Sequence, residues 1–474
     1  MRARKLTTHS LAGLAPVATC ALLAFACGPA EGGATSPAAA PRKEPPGPIH
    51  HVVLVTFDGL VPDAYVHPDA HGLRIPTLRS LVARGASSDG ALSVFPSVTY
   101  PSHTSMATGV SPGTHGIVSN LAFDPLEEDM GGWRWYAEDI KVDPIWRIVE
   151  RAGYQAALVH WPVSTGARVT WRVPEYWRAK DDNDRKLLRA LSTPGLLESV
   201  AEEHPDFWPR YAPPNVKDDA LGDIAVHLIT KEKPTLLQLH LVGVDGAQHH
   251  YGLWSPEALA AIEEDDHQLA RVLQAIDAAG LTKDTSVIVA SDHGFMNAGT
   301  TAKPGVLLRD AGLVTVNADG HVTDWKAAAL VSSGQAYIYV RDPNDAPTKQ
   351  KVRDVLTAKS REAGSGIGRI YEGDAIRSLG GDPAAFLAVE ATPGFQLGPG
   401  ATGDYIAPSA YKATHGYDPN RPEMHASLIL VGPNVKHGAL VGARLVDIAP
   451  TIAAWLGLAM PGVEGKELTV TTQP

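Results

Sequence analysis

HVVLVTFDG, residues 51–59, is the stretch from which the fold can be read. The run His51–Phe57 is apolar almost throughout, and Asp58 and Gly59 follow it directly. A strand solvated on one face alternates apolar with polar. A run without alternation is how a strand covered on both faces looks, the habit of parallel sheets. Four more runs share this character: Gln155–His160 (QAALVH), Leu236–Val242 (LLQLHLV), Ser286–Ala290 (SVIVA) and Ala426–Val431 (ASLILV). Helical patterns lie between them. Clearest is Pro256–Gly280, with apolar residues at three- and four-residue steps and a terminal glycine. Others are Ile75–Ala83, Ile145–Ala152 and Val446–Leu456. The alternation predicts an α/β fold with a central, mostly parallel sheet and helices on both faces. Between Gly294 and Thr414 the pattern weakens, with one strand at Ala336–Val340 and a helix near Lys349–Lys359. That segment predicts a small cap, about residues 300–410, inserted into the main domain rather than folding alone.

Upstream of His50 the chain reads as leader and tether. Arg2, Arg4 and Lys5 precede an apolar stretch from Leu11 to Ala26, broken by Pro16. It is too short and wrongly flanked for a membrane span, and predicts an export signal over residues 1–27. Leu23-Ala24-Phe25-Ala26-Cys27-Gly28 resembles a bacterial lipoprotein cleavage site, although Ala24 stands where leucine is preferred. This makes Cys27 the acylated residue and predicts a product that is periplasmic, lipid-anchored to a membrane, or secreted. Residues 28–48, rich in Ala, Pro, Gly and Ser, predict a flexible linker, and residues 49–468 the catalytic domain.

Cys20 and Cys27 are the only cysteines. The remainder therefore has no disulfide and no thiolate, so any metal must be held by His, Asp or Glu. The formal net charge of −11 makes a poor platform for duplex nucleic acid, whose binding needs Lys and Arg. A small phosphate ester remains open as a partner, because bound metal can dominate the field of a site. Nothing in the sequence indicates an obligate protein partner. The 45 glycines and 37 prolines predict long irregular loops.

In open α/β sheets, ligands bind beyond the carboxyl ends of the strands. Asp58 follows the first run, Asp245 the third, with His249 four residues on, and Asp292-His293-Gly294 the fourth; His415-Gly416 precedes the fifth. One aspartate after a strand is an ordinary turn residue. Several at the edge of one sheet point to a shared site. Aspartate and histidine without cysteine suit catalytic zinc. Six such ligands give three to each of two ions and leave an open position on each, the layout of a two-metal clamp on a phosphoryl group.

The nucleophile is sought in FPSVTYPSH, residues 95–103, where Ser97, Thr99, Ser102 and the following Thr104 compete. A hydroxyl here would head a helix through Thr104–Thr108, where free backbone N–H groups favour an anion. Metal coordination can activate a threonine hydroxyl without a general base. Asn120 is placed to serve as a neutral donor to a phosphate oxygen.

These residues resemble the nucleotide pyrophosphatase/phosphodiesterase family of the alkaline phosphatase superfamily. The likeness runs from His50 to about Glu467. VTFDGL (55–60), FPSVTYPSHTSMATGVSPGTHGIVSN (95–120), VDGAQHHYG (244–252), SDHGF (291–295) and THGYD (414–418) stand in the family's order, and DIAPTIAAWLGL (447–458) looks like its closing helix. The resemblance implies two zinc sites, one surrounded by Asp58, Thr99, Asp292 and His293 and the other held by Asp245, His249 and His415. It implies that Thr99 is the nucleophile, forming a phospho-threonine that water then hydrolyses. Asn120 falls at the family's phosphate-binding asparagine, and Tyr100 where an aromatic ring packs on the substrate. Ser102 departs from the asparagine common in animal members, which bears on loop packing, and the chain lacks their cysteines.

Several readings stay in competition. His250 adjoins His249, and the four-residue spacing from Asp245 favours His249. His103 and His115 read as structural. Tyr100 competes between a stacking platform and core. Trp161 and the stretch Pro174–Arg178 could wall the cleft or only pack. Arg178 and Lys180, if they face the metals, would suit a phosphomonoester with its extra charge. The expected reaction is hydrolysis of a phosphodiester or pyrophosphate bond in a nucleotide-type substrate. A phosphomonoesterase with the same metals is the alternative within enzymes, and a non-catalytic surface lipoprotein the alternative of another class. A sulfatase is disfavoured because the nucleophile loop lacks the sequence that formylglycine formation uses, and a cofactor-independent phosphoglycerate mutase by the export signal.

Overall fold

The computed structural model describes residues 50–128, 132–176, 182–212, 215–433 and 435–471. The leader, Cys27, the linker over 28–48, Arg178 and Lys180 lie outside the described residues.

Eight strands form the central sheet: β1 (His51–Phe57), β2 (Ala86–Ala91), β3 (Ala156–Trp161), β4 (Trp171–Pro174), β5 (Leu236–Leu241), β6 (Thr285–Ala290), β7 (Ala426–Val431) and β8 (Gly438–Ala439). Their order across the sheet is β8-β2-β7-β6-β1-β5-β3-β4. β1 sits between β5 and β6 in parallel register, Val52 opposite Leu236 on one side and Ser286 on the other. Every residue of β1, β3, β5, β6 and β7 is buried. That is why these runs carry no alternation.

β7 alone is reversed, pairing antiparallel with both β6 and β2. An apolar run reports coverage on two faces and says nothing of direction. β2, β4 and β8 are not among the strands read from sequence. β2 is ASSDGA, polar and alternately buried, with no β-branched residue. It is held by its neighbours rather than by its own propensity.

Helices stand where the periodicity predicts them: α1 (Pro76–Arg84), α3 (Ile145–Arg151), α5 (Pro256–Ala278) and α6 (Ile448–Trp455). Ser255 caps α5 by accepting from the N–H of Ala258, and Gly280 turns the chain away at φ 73°. Helix α2 (Thr99–Thr108) begins earlier than expected. Val98 is extended and Thr99 is the first helical residue. Pro101 is accommodated because it lies in the first turn, where no N–H is required. Helix α4 (Gly243–Tyr251) follows β5. Its geometry puts Asp245 and His249 on one face, one turn apart.

The chain from Met296 to Thr414 builds three further sheets, the smallest the antiparallel pair Val314–Val316 and Val322–Trp325. Of the larger two, one is antiparallel, in the order Ala327–Ser332, Gln335–Val340, Leu387–Ala391, Ile367–Glu372. The other centres on Met296–Ala302, flanked by Gly394–Leu397 and Ile406–Pro408. They share a hydrophobic core that includes Leu308, Ile338, Val352 and Val389, and that Tyr417 and Met424 complete from the returning chain.

Candidate metal centre and nucleophile loop

The parallel strands aim their carboxyl ends at one edge. Asp58 leaves β1 there, Asp292 and His293 leave β6, and α4 leaves β5 carrying Asp245 and His249. Because β7 is reversed, its amino end lies at the same edge, and His415, eleven residues ahead of it, follows the pairing of Ala413 and Thr414 with Asn297 and Met296. The loop after β2 leads to Thr99.

These side chains form two triads, Asp58/Asp292/His293 and Asp245/His249/His415, each with its ligand-capable atoms within 4.8 Å of one another. In the first, His293 Nε2 is 3.4 Å from Asp58 Oδ1 and 3.1 Å from Asp292 Oδ2. In the second, Asp245 Oδ1 is 3.3 Å from His249 Nε2 and 3.6 Å from His415 Nε2. The triads adjoin through His293 and His415, whose rings stack at 3.6 Å.

Each imidazole is oriented from behind. Nδ1 of His249 lies 2.9 Å from the Ala413 carbonyl, Nδ1 of His415 lies 3.1 Å from that of Ser97, and Nδ1 of His293 lies 3.1 Å from that of Gly294. A carbonyl only accepts, so each Nδ1 carries the proton and each Nε2 presents a lone pair to the triad. Gly59 donates its N–H to Asp292 Oδ1 at 3.0 Å. Gly59 sits at φ 69°, and a Cβ there would lie 2.8 Å from the Phe295 ring, so both backbone and space call for glycine.

Asp58 Oδ1, Asp292 Oδ2, His293 Nε2 and Asp245 Oδ1 are buried and have no hydrogen-bond partner. Buried polar atoms are normally paired. Burial, together with Asp292 and Asp245, holds the Asp58 carboxyl well above the usual carboxylate range. Burial likewise raises Asp292, and pushes Asp245 up to about 6. Burial lowers His293 and His415 well below the ordinary histidine value. Carboxylates and neutral imidazoles facing one another without donors between them fit divalent cations, so the donor set passes the test for metal.

Thr99 is almost wholly buried. Its carbonyl accepts from His103 Nδ1 at 2.9 Å, and that nitrogen is 3.6 Å from Asp292 Oδ2. His103 Nε2 reaches Thr56 Oγ1 at 3.0 Å, and Thr56 Oγ1 lies 3.1 Å from His240 Nδ1. His240 Nε2 is 3.4 Å from Asp58 Oδ2. A polar chain thus ties the start of α2 to β1 and β5 behind the first triad. Sequence reading passed over Thr56 and His240. The available signal was a histidine inside the largely apolar run LLQLHL, a costly residue to bury without a task.

Asn120 accepts the Tyr100 N–H at its Oδ1, 2.9 Å away, which turns its amide NH2 outward as a donor. Tyr100 itself is fully buried, its ring edge-on to Trp133 at 5.2 Å. It presents packing, not an open stacking face, because α2 starts at Thr99 and carries the next side chain into the core. Ser102 is buried, 3.3 Å from Ser93 Oγ, and Trp161 is buried against His103. His250 is exposed, and its Nδ1 lies 2.8 Å from the Gly246 carbonyl of its own helix. His115 is buried, with Nε2 2.9 Å from Ser105 Oγ.

The sheet and this site-bearing edge define an α/β protein of the alkaline phosphatase-like fold. The profile of the family described as Type I phosphodiesterase / nucleotide pyrophosphatase matches residues 52–418, and the chain belongs to that family. A pyrophosphatase/phosphodiesterase of Schizosaccharomyces pombe, itself uncharacterized, is 27% identical over 256 residues, 52% of this chain and 44% of the relative. The bis(5'-adenosyl)-triphosphatase ENPP4 of Bos taurus is 24% identical over 246 residues, 52% of this chain and 47% of that protein. The matches thus span about half the length of these relatives. Human ENPP5 superposes with a TM-score of 0.63 at 19% identity, covering 88% of this chain and 97% of that one. Murine ENPP5, in an inactive threonine-to-alanine form in complex with AMP, gives 0.61 at 20% identity over 89% of this chain and 100% of that one. Among the described residues, no helix is long and apolar enough to cross a membrane.

Proposed function

We propose that the chain hydrolyses phosphodiester or pyrophosphate bonds of nucleotide-type substrates, with Thr99 as nucleophile. Two divalent ions, zinc by ligand type, would be held by Asp58, Asp292 and His293 and by Asp245, His249 and His415. The observation that carries this reading is the pair of adjoining triads whose inward atoms are buried and unpaired, tied through His103 to the threonine that heads α2. When bound, the ions supply the positive charge that activates the hydroxyl and neutralises phosphoryl oxygens.

The chain's own residues do the rest. Thr99 attacks phosphorus, the bond to the leaving oxygen breaks, and water later cleaves the phospho-threonine. Asn120 donates its amide N–H to a phosphoryl oxygen, its orientation set by the Tyr100 N–H. His103 and Thr56 hold the start of α2 in place. Charge favours the diester: three carboxylates against two divalent ions leave one net positive unit, matched by the single charge of a diester and exceeded by a monoester. The bis(5'-adenosyl)-triphosphatase name of one relative, and the AMP bound to the inactive threonine-to-alanine form of another, support the nucleotide class.

The same reading keeps residues 49–468 as the catalytic domain with a cap at about 300–410, and an exported, Cys27-anchored product as its setting. The test is hydrolysis of bis(p-nitrophenyl) phosphate against p-nitrophenyl phosphate, with zinc, after chelation, and for Thr99→Ala. Diester turnover lost on chelation and in Thr99→Ala is expected. A preference for the monoester would move the assignment to a phosphomonoesterase.

A further inference from the structure

We propose that the exposed ring of Tyr411, at the outer edge of the Asp245/His249/His415 triad, is the subsite for the departing half of the substrate and selects leaving groups that carry a flat aromatic ring. This rests on the phosphodiesterase reading above.

The two triads are not equivalent. Thr99 belongs to the side of Asp58, Asp292 and His293, since its carbonyl bonds His103, whose Nδ1 is 3.6 Å from Asp292. The other triad lies across the stacked pair His293 and His415. In an in-line displacement the leaving oxygen departs opposite the attacking one, each against its own side of a two-metal clamp. The departing group therefore extends over Asp245, His249 and His415 and beyond them.

What it meets there is Tyr411. The ring centre is 4.4 Å from that of His249, with the planes 31° apart. The residue is nevertheless 37% exposed, so one face leans on a triad member while part of the ring faces solvent. His250 stands edge-on at 5.6 Å on the same rim.

The backbone that carries the ring is held. The Tyr411 N–H donates to Ser409 Oγ at 2.9 Å, the Lys412 N–H to the His249 carbonyl at 2.8 Å, and the Ala413 carbonyl accepts from His249 Nδ1 at 2.9 Å. The segment is thus laced to the triad through both ends of His249. A pinned, half-open aromatic face offers stacking at little ordering cost. An aryl or nucleobase-bearing leaving group fits it better than an alkyl one.

The test uses two esters of one nucleoside 5'-monophosphate, phenyl and hexafluoroisopropyl, whose leaving alcohols have similar acidity. The readout is the phenyl-to-alkyl ratio of kcat/KM. Tyr411→Leu should lower that ratio about two- to tenfold, the range of one aromatic contact, while Tyr411→Phe should keep it. A Tyr411→Leu variant that loses both esters equally would mean the ring only props His249, and would overturn the subsite; an unchanged ratio would do the same. Calorimetric binding of the two esters to Thr99→Ala, with and without Tyr411→Leu, reads the same preference without turnover. If the wild type hydrolyses neither ester, the proposed function fails, and this binding preference alone decides the subsite.

Discussion

Chelating the metals should destabilise the protein more as the pH rises, and the sign follows from the buried carboxyls. Burial raises Asp58, Asp245 and Asp292, with Asp292 and Asp245 adding to the effect on Asp58; Asp245 stands at about 6. An acid raised in the native state holds its proton more tightly there than in the unfolded chain. Its stabilising contribution is present below the unfolded pKa and is lost as pH climbs through the native one. For Asp245 a shift of about two units corresponds to about 3 kcal/mol, lost between about pH 4 and pH 6 in the metal-free protein. Asp58, held well above the carboxylate range, adds a loss of the same sign as pH climbs. His293 and His415 have the opposite sign: lowered by burial, they cost stability as pH falls below about 6.5, and are silent above it. The window from about pH 6.5 to 8 therefore isolates the carboxyls. In the loaded protein the same carboxyls must be free of protons, so stabilisation by bound metal grows with pH. Urea unfolding of zinc-loaded and chelated protein should show a gap that widens as pH rises across this window. Groups elsewhere cancel in the difference. A gap that stays constant or narrows would refute the claim that these buried carboxylates are the ligands.

Three further outcomes follow from the site. His249→Ala should lower bound zinc from two ions towards one per chain, whereas His250→Ala should retain both, because His250 is exposed and directs Nδ1 to its own helix; metal analysis after dialysis decides. Asn120→Ala should reduce kcat/KM for a diester about 10²-fold with metal content unchanged, since it removes a donor to the phosphate and no ligand. Gly59→Ala should cost about 1–3 kcal/mol in urea unfolding and weaken zinc retention, because its Cβ would strike Phe295 at a φ of 69° and displace the N–H that holds Asp292. Wild-type stability in that variant would show that the loop relaxes freely.

Much of the sheet is legible because burial on two faces leaves a mark in sequence. The runs at β1, β5 and β6 are apolar enough to be found, and the aspartates and histidines shortly after each are then site candidates by position. The nucleophile loop is different. It leaves β2, and ASSDGA carries no strand signal, since that strand is positioned by β7 and β8 rather than by its own side chains. Nothing in the sequence pattern places Thr99 beside Asp292; the family resemblance supplies it. Likewise, Thr56 and His240 lie within strands, where pattern reading counts burial and stops. Their polar atoms matter only once β1, β5 and α2 are seen side by side.

His415 shows why direction is the missing quantity. It precedes its strand, while Asp58 and Asp292 follow theirs. In a fully parallel sheet a residue just before a strand would lie at the opposite edge, a strand length away. Six residues of β7 at about 3.3 Å each make that roughly 20 Å, far beyond any shared coordination. With β7 antiparallel, in the register of Leu428 opposite Ala290 and Val431 opposite Val287, the chain from His415 to Ala426 need not run the length of the sheet, and the pairing of Ala413 and Thr414 with Asn297 and Met296 holds the histidine at this edge. Gly416 then makes the approach possible: it turns at φ 91°, where a Cβ would lie 2.2 Å from the Ser332 carbonyl. The same turn leaves His415 Nδ1 3.1 Å from the Ser97 carbonyl, two residues before Thr99. One reversed strand thus couples the second triad to the loop that carries Thr99.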